Sequence, residues 1–271
     1  MLSPRQLVEE ADYVGLTALA VTDHDIVDGV APARAAAQDL ELELEIIAGV
    51  EFSASLHGHE IHVLGLFIDD SDAKLIAATV RSREFRYQRA NEIVERLNHL
   101  GHEVDFRTVE SVAGNGSIGR PHIARALVQH GAAKTADEAF RRLIGVGKPA
   151  FVPKPTLDAA EVIGVLHDAG GVAILAHPAS SRVGEERIRE LAALGLDGFE
   201  IHHPKHSSSA RRKLTALIDQ LGLLPSGGSD FHGPGSGRTK LGAHAVPMST
   251  MEALRAASLT YSSAQASTEE T

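Results

Sequence analysis

Six short runs rich in Val, Ile, Leu and Ala recur along the chain, at residues 16–22, 44–50, 60–67, 171–176, 198–202 and 223–227. Bounded by Gly or polar residues, runs of this length and composition predict buried strands. Helical patterns lie between most of them, at 4–13, 31–39, 185–194 and 208–221. Ser3 is placed to cap the first helix, with Pro4 at its first helical position. Strand–helix alternation confines a chain to a mostly parallel sheet or barrel. The rhythm breaks over residues 73–155, where helical patterns follow one another at 74–100, 120–130 and 135–144. This organisation predicts a barrel domain over 1–72 and 156–260, interrupted by a helical insertion over 73–155. The Ser/Thr/Ala/Glu-rich stretch 261–271 predicts a disordered tail.

Polar residues at the strand ends narrow the chemistry. Thr22-Asp23-His24-Asp25 closes the first strand, Glu51 follows the second within Gly-Val-Glu-Phe-Ser, and His62 lies in the third. Ala176-His177-Pro178 closes the fourth, the fifth carries Glu200, His202 and His203, and the sixth runs into Gly-Gly-Ser-Asp230-Phe-His232. In α/β barrels, catalytic groups come from the carboxyl ends of several different strands. With 15 histidines and no cysteine, imidazole and carboxylate are the available metal ligands, a set that suits Zn, Mn or Fe. Asp230 and His232 alternate in a segment that reads as extended, so both point the same way. Glu51, with two oxygens, can bridge two ions. Adjacent divalent ions polarise a phosphoryl group and lower the pKa of water, so no catalytic residue beyond the metal ligands is required.

The net charge of −10 argues against duplex DNA, whose binding proteins present a basic face. No run reaches the roughly 18 apolar residues of a membrane helix, and the N-terminus lacks a charged-then-apolar export pattern. Together with the absence of cysteine, this makes a cytoplasmic location the expectation. Phosphate-binding candidates sit in the insertion. Arg120 and His122 flank Pro121 at a helix N-terminus, whose free N–H groups suit a phosphate. Lys148, beside Gly147, is a second candidate, and His202 a candidate substrate contact. The run Arg81, Arg83, Arg86, Arg89 reads either as a guide for RNA or as a solvated helix face. Glu200 reads as a partner for a histidine.

The ordered set Thr-Asp-His-Asp, Gly-Val-Glu-Phe, Ala-His-Pro and Ser-Asp-Phe-His resembles the PHP (polymerase and histidinol phosphatase) family over nearly the whole chain. The insertion, with Gly119-Arg120-Pro121-His122 and Gly147-Lys148-Pro149, is similar to the subgroup acting on AMP, nucleoside 3′,5′-bisphosphates or the 5′ ends of short RNA. This resemblance implies a distorted (β/α)7 TIM-like barrel holding up to three divalent ions. His24, Glu51, His62, His177, Asp230 and His232 match family metal positions. It implies a metal-dependent phosphoesterase with a small nucleotide or short single-stranded RNA as substrate. The alternatives are a histidinol- or sugar-phosphate phosphatase and a non-catalytic module. One departure stands out: the family opens with a strand ending in His-x-His and then Ser-Asp-Gly, whereas no histidine precedes His24 here. The expectation is that the natural protein begins about 12–20 residues earlier, by one strand and its loop.

Overall fold

In the computed structural model, which describes residues 2–114, 116–234 and 240–269 (backbone alone over 264–269), Ser3 caps the first helix. Its hydroxyl accepts the Gln6 N–H while the Gln6 side chain accepts the Ser3 N–H, a capping box that opens α1 (Pro4–Tyr13). There follow β1 (Ala18–Val21), α2 (Val30–Asp39), β2 (Glu45–Leu56) and β3 (His59–Leu66). The long α3 (Ala73–His99) leads to α4 (Phe106–Ala113), α5 (Arg120–Gln129) and α6 (Ala136–Ala139), which continues as a π-helical turn over Phe140–Ile144. After β4 (Leu157–Asp158) the alternation returns as α7 (Ala159–Asp168), β5 (Val172–Leu175), α8 (Glu185–Ala193), β6 (Gly198–His202), α9 (Ser208–Leu221), β7 (Leu224–Gly227) and α10 (Met248–Glu269).

The chain divides into two compact units, Met1–Thr79 with Leu157–Thr271, and Val80–Thr156. The first is a mixed α/β unit around one sheet, ordered β1-β2-β3-β5-β6-β7, with β4 beside β2. Among the described residues no ladder joins β1 to β7. Residues fully enclosed in this unit include Phe52, Phe199, Ile61 and Ile174, each contributing about 1.5–3 kcal/mol by burial. The second unit is all helical and has its own core, with Ile93, Leu97, Ile123, Leu127 and Ile144 at its centre.

One expectation holds with an exception and one needs correction. The sheet is mostly parallel, but β3 runs antiparallel to both β2 and β5. Only His57 and Gly58 separate β2 from β3, and a parallel return needs a dozen or more residues. Both residues adopt left-handed backbone, φ 50° and 77°, as a tight hairpin turn requires. The expected disordered tail is helical through Glu269 as the last turns of α10, while Glu270 and Thr271 lie outside the described residues. The reason is anchorage. Leu254 packs with Leu66, Val172 and Ile174, and the Tyr261 hydroxyl donates to Asp197 at 2.6 Å. Composition also concealed α4, α7 and the two-residue β4. Among the described residues no helix is long and apolar enough to cross a membrane.

Candidate metal centre

The ladders of the first unit bring chemistry together around Glu51. Beyond β1 the chain stays in register with β2: Asp23 O accepts the Glu51 N–H at 3.1 Å, and Glu51 O accepts the Asp25 N–H at 3.0 Å. His24 therefore stands beside Glu51 in a parallel bridge, with side chains on one face. Glu51 pairs with Leu64 in β3, so His62, two residues away on that strand, shares the face. Ala176 continues the β3–β5 ladder by donating its N–H to His62 O at 2.9 Å, which delivers His177 to the same place.

The convergence is close. Glu51 Oε1 lies 2.7 Å from His62 Nδ1 and 3.2 Å from His177 Nε2, and those two ring nitrogens are 3.3 Å apart. His24 Nδ1 is 3.7 Å from Glu51 Oε2. The imidazoles form an arc with centroid separations of 5.8 Å (His232–His24), 4.9 Å (His24–His62), 5.1 Å (His62–His177) and 5.5 Å (His177–His203). Asp230 closes it, with Oδ2 3.3 Å from His203 Nε2 and Oδ1 3.3 Å from His232 Nδ1. Several nitrogen and carboxylate donors aimed at one small volume are the donor set of a divalent ion, and His24, Glu51 and His62 already present one ligand atom each within 4.8 Å of one another.

Electrostatics fit this arrangement. Burial alone would raise the Glu51 carboxyl, but the imidazoles of His24, His177 and His62 outweigh it and hold the pKa well below the ordinary value. Asp230 is likewise lowered: burial opposes ionisation, and the His203 contact, His232 and Lys205 overcome it. Asp23 is raised, by burial first and by Asp28. Glu200, in β6, is pushed up to about 8 by burial and by the nearby Glu51 and Asp230 carboxylates. Its Oε2 accepts the His177 N–H at 2.7 Å. Asp25 is wholly buried and accepts the Ser53 N–H at 2.8 Å, stapling the first strand end to β2.

All six residues matched to metal positions thus lie in this one cluster, and Glu200, His203, Lys205 and Ser181 join them. Two local readings differ. Asp230 has φ 50°, so Asp230-Phe-His232 is not an extended segment. Here the His232 Nδ1–H donates to Asp230 O at 2.9 Å. His202, expected to contact substrate, is exposed on a surface depression with Ser208, Arg211 and Arg212, while His203 is fully buried in the cluster. The cause is a register shift in β6 between Glu200 and His202. A bulge breaks the two-residue alternation.

In the second unit, the Arg120 guanidinium lies 5.7 Å from the ring centres of both Phe140 and Phe151, a cation–π sandwich. His122 Nδ1 accepts the Gly119 N–H at 3.0 Å, capping α5. Burial, Arg125 and Arg86 lower its pKa to about 4. Lys148 is exposed in the turn after the π-helical segment, its N–H donated to Gly145 O. The arginine run divides: Arg81 and Arg83 are exposed, whereas Arg86 and Arg89 are buried, Arg89 Nε–H donating to Val152 O at 2.9 Å.

No family model matches the chain. Over 238 residues it is 36% identical to a 5′-3′ exoribonuclease of Haemophilus influenzae, covering 86% of each chain. It is 34% identical over 246 residues to a 3′,5′-nucleoside bisphosphate phosphatase of Chromobacterium violaceum, covering 89% of this chain and 86% of that one. Its fold is similar to a crystal structure from Bifidobacterium adolescentis assigned as a metal-dependent phosphoesterase, with a TM-score of 0.86 at 31% identity over 94% of this chain and 90% of that one.

Proposed function

The chain belongs to the PHP family of metal-dependent phosphoesterases, and on that premise we propose that it hydrolyses phosphate esters of nucleotides, with nucleoside 3′,5′-bisphosphates and the 5′ ends of short RNA as its substrate class. The observation that carries this reading is the convergence of His24, His62 and His177 on the Glu51 carboxylate in a chain so similar to enzymes of those activities. The residues that would hold divalent ions are His24, Glu51, His62, His177, Asp230 and His232. When bound, such ions supply polarisation of the phosphoryl group and a water of lowered pKa.

The remaining work falls to the chain's own groups. Glu51 brings a charge that its imidazole neighbours keep ionised. Glu200 holds the His177 backbone through its N–H, and Ser181 Oγ, 2.7 Å from His177 Nδ1, fixes the ring. Lys205, more than half exposed, sets a cation 3.2 Å from Asp230 Oδ2, where a phosphate oxygen would be attracted. On their chemistry alone, Arg120, His122 and Lys148 of the helical unit are assigned to phosphate binding. The same reading takes the sheet as a distorted barrel with the metal residues at its open end.

The test is phosphate release by the purified chain, with Mn²⁺ and with chelator, from a nucleoside 3′,5′-bisphosphate, a 5′-phosphorylated dinucleotide and a sugar phosphate. Metal-dependent release, faster from the first two, is the expected result. Preference for the sugar phosphate, or no release with any metal, would sink the reading.

A further inference from the structure

His203 is fully buried, next in sequence to the exposed His202, and both of its ring nitrogens have defined surroundings. Nδ1 accepts the Lys205 N–H at 3.2 Å. A nitrogen that accepts a backbone N–H carries no proton, so in the neutral ring the proton resides on Nε2. Nε2 is enclosed, makes no hydrogen bond of ordinary geometry among the described residues, and stands 3.3 Å from Asp230 Oδ2, the nearest acceptor for its proton. The Lys205 ammonium reaches the same oxygen at 3.2 Å. The other oxygen, Oδ1, lies beside His232 Nδ1 at 3.3 Å. Asp230 itself sits in a left-handed backbone conformation, φ 50°, which costs about 1 kcal/mol or more and persists only where surrounding contacts enforce it.

We propose that His203 is a positioning residue, which grips Asp230 through Oδ2 with its Nε2–H and so assigns Oδ1, on the His232 side, as the oxygen given to a metal ion. The proposal rests on the metal reading of this site and deepens it. Burial keeps His203 from touching substrate. Its action runs through Asp230, as a hydrogen-bonded partner orients a ligating carboxylate. The Lys205 N–H sets the tautomer, so one short segment, His203-Pro204-Lys205, both chooses the proton's nitrogen and aims it.

Two independent measurements test this. Long-range ¹H–¹⁵N NMR of the ¹⁵N-histidine-labelled protein reads the tautomer, with His203 identified by its loss in His203→Gln. The Nε2–H form is expected, and the Nδ1–H form overturns the proposal whatever the metal affinities of the variants. Mn²⁺ titration calorimetry reads the grip. Gln places an amide N–H where Nε2 stands, and His203→Gln should bind within about threefold of wild type. Asn keeps an acceptor for the Lys205 N–H but has nothing in the place of Nε2. His203→Asn should lose about tenfold to a hundredfold in affinity. Equal losses in both variants would make His203 a packing residue, and wild-type affinity in His203→Asn would make it idle; either overturns the proposal. A wild-type chain that binds no divalent ion defeats the metal reading itself, and that failure is visible before any variant is made.

Discussion

A carboxylate buried as deeply as Glu51 costs several kcal/mol to keep ionised unless positive or donating groups surround it, and three imidazoles do so. The same economy of contacts explains three non-glycine residues of the site with left-handed backbone, Asp25, His177 and Asp230. Asp25 is held by the Ser53 N–H and His177 by Glu200, while Asp230 lies against His203 at 3.3 Å. His122 offers a pH test. Its folded pKa, about 4, lies below the ordinary 6.5, so between these values the unfolded chain binds the proton first. Stability is then full above pH 6.5 and falls as the pH drops toward 4. The loss should be about 1–2 kcal/mol after allowing for solvent screening at a partly exposed site. Gln at this third helical position keeps the capping acceptor without titrating. Urea midpoints at pH 7 and 4.5 should therefore separate for wild type and draw together in His122→Gln. Arg120→Ala, in the proposed phosphate contact, should raise KM more than it lowers kcat if that contact binds substrate and transition state alike. Unchanged kinetics would remove Arg120 from the site.

Among the elements, α10 and β6 depart most from what their sequences suggest. The α10 segment is poor in apolar residues near its end, yet it is pinned where Tyr261 meets Asp197. That carboxylate accepts the Ala173 N–H at 2.7 Å, lies 2.8 Å from His167 Nε2, and takes the Tyr261 hydroxyl on its other oxygen. His167 stacks on Tyr261 with ring centroids 3.9 Å apart. Tyr261→Phe keeps the stack and deletes one bond to a charged acceptor, which should cost about 1–2 kcal/mol. Chemical denaturation would show it, with phosphate release at room temperature unchanged. A null effect would mean that the helix is held by packing alone. In β6 the bulge turns His202 outward and His203 inward, and it is the reason one buried histidine meets Asp230.

At the scale of the whole molecule, ligand binding and stability are linked. If divalent ions bind the folded chain at Glu51, saturating metal should stabilise it by about 2.7 kcal/mol at a hundredfold excess over Kd. That corresponds to a rise in Tm of roughly 5–10 °C for a domain of this size. Glu51→Gln removes the charge and should abolish both the rise and metal-dependent phosphate release. A variant that still gains stability from Mn²⁺ would place the ion elsewhere. Because the two units have separate cores, the shift should be read on the transition of the α/β unit.

Much of the fold was legible in the sequence because it depends on local pattern. The capping box of α1, the span of α9 and the apolar runs of the sheet follow from residue types at fixed spacing. The strand-end rule likewise picked out His24, Glu51, His177, Asp230 and His232, and the family resemblance added His62; Glu51 and His62 in fact lie inside β2 and β3, where the ladder between the two strands brings them together. What tertiary structure alone decided is direction, register and conformation. A two-residue turn reversed β3, a bulge exchanged His202 for His203, and a left-handed Asp230 broke a segment expected to be extended. Each is a choice of backbone geometry that composition leaves nearly degenerate. Contacts made by residues far apart in the chain settle it, as Glu200 does for His177 and His203 does for Asp230.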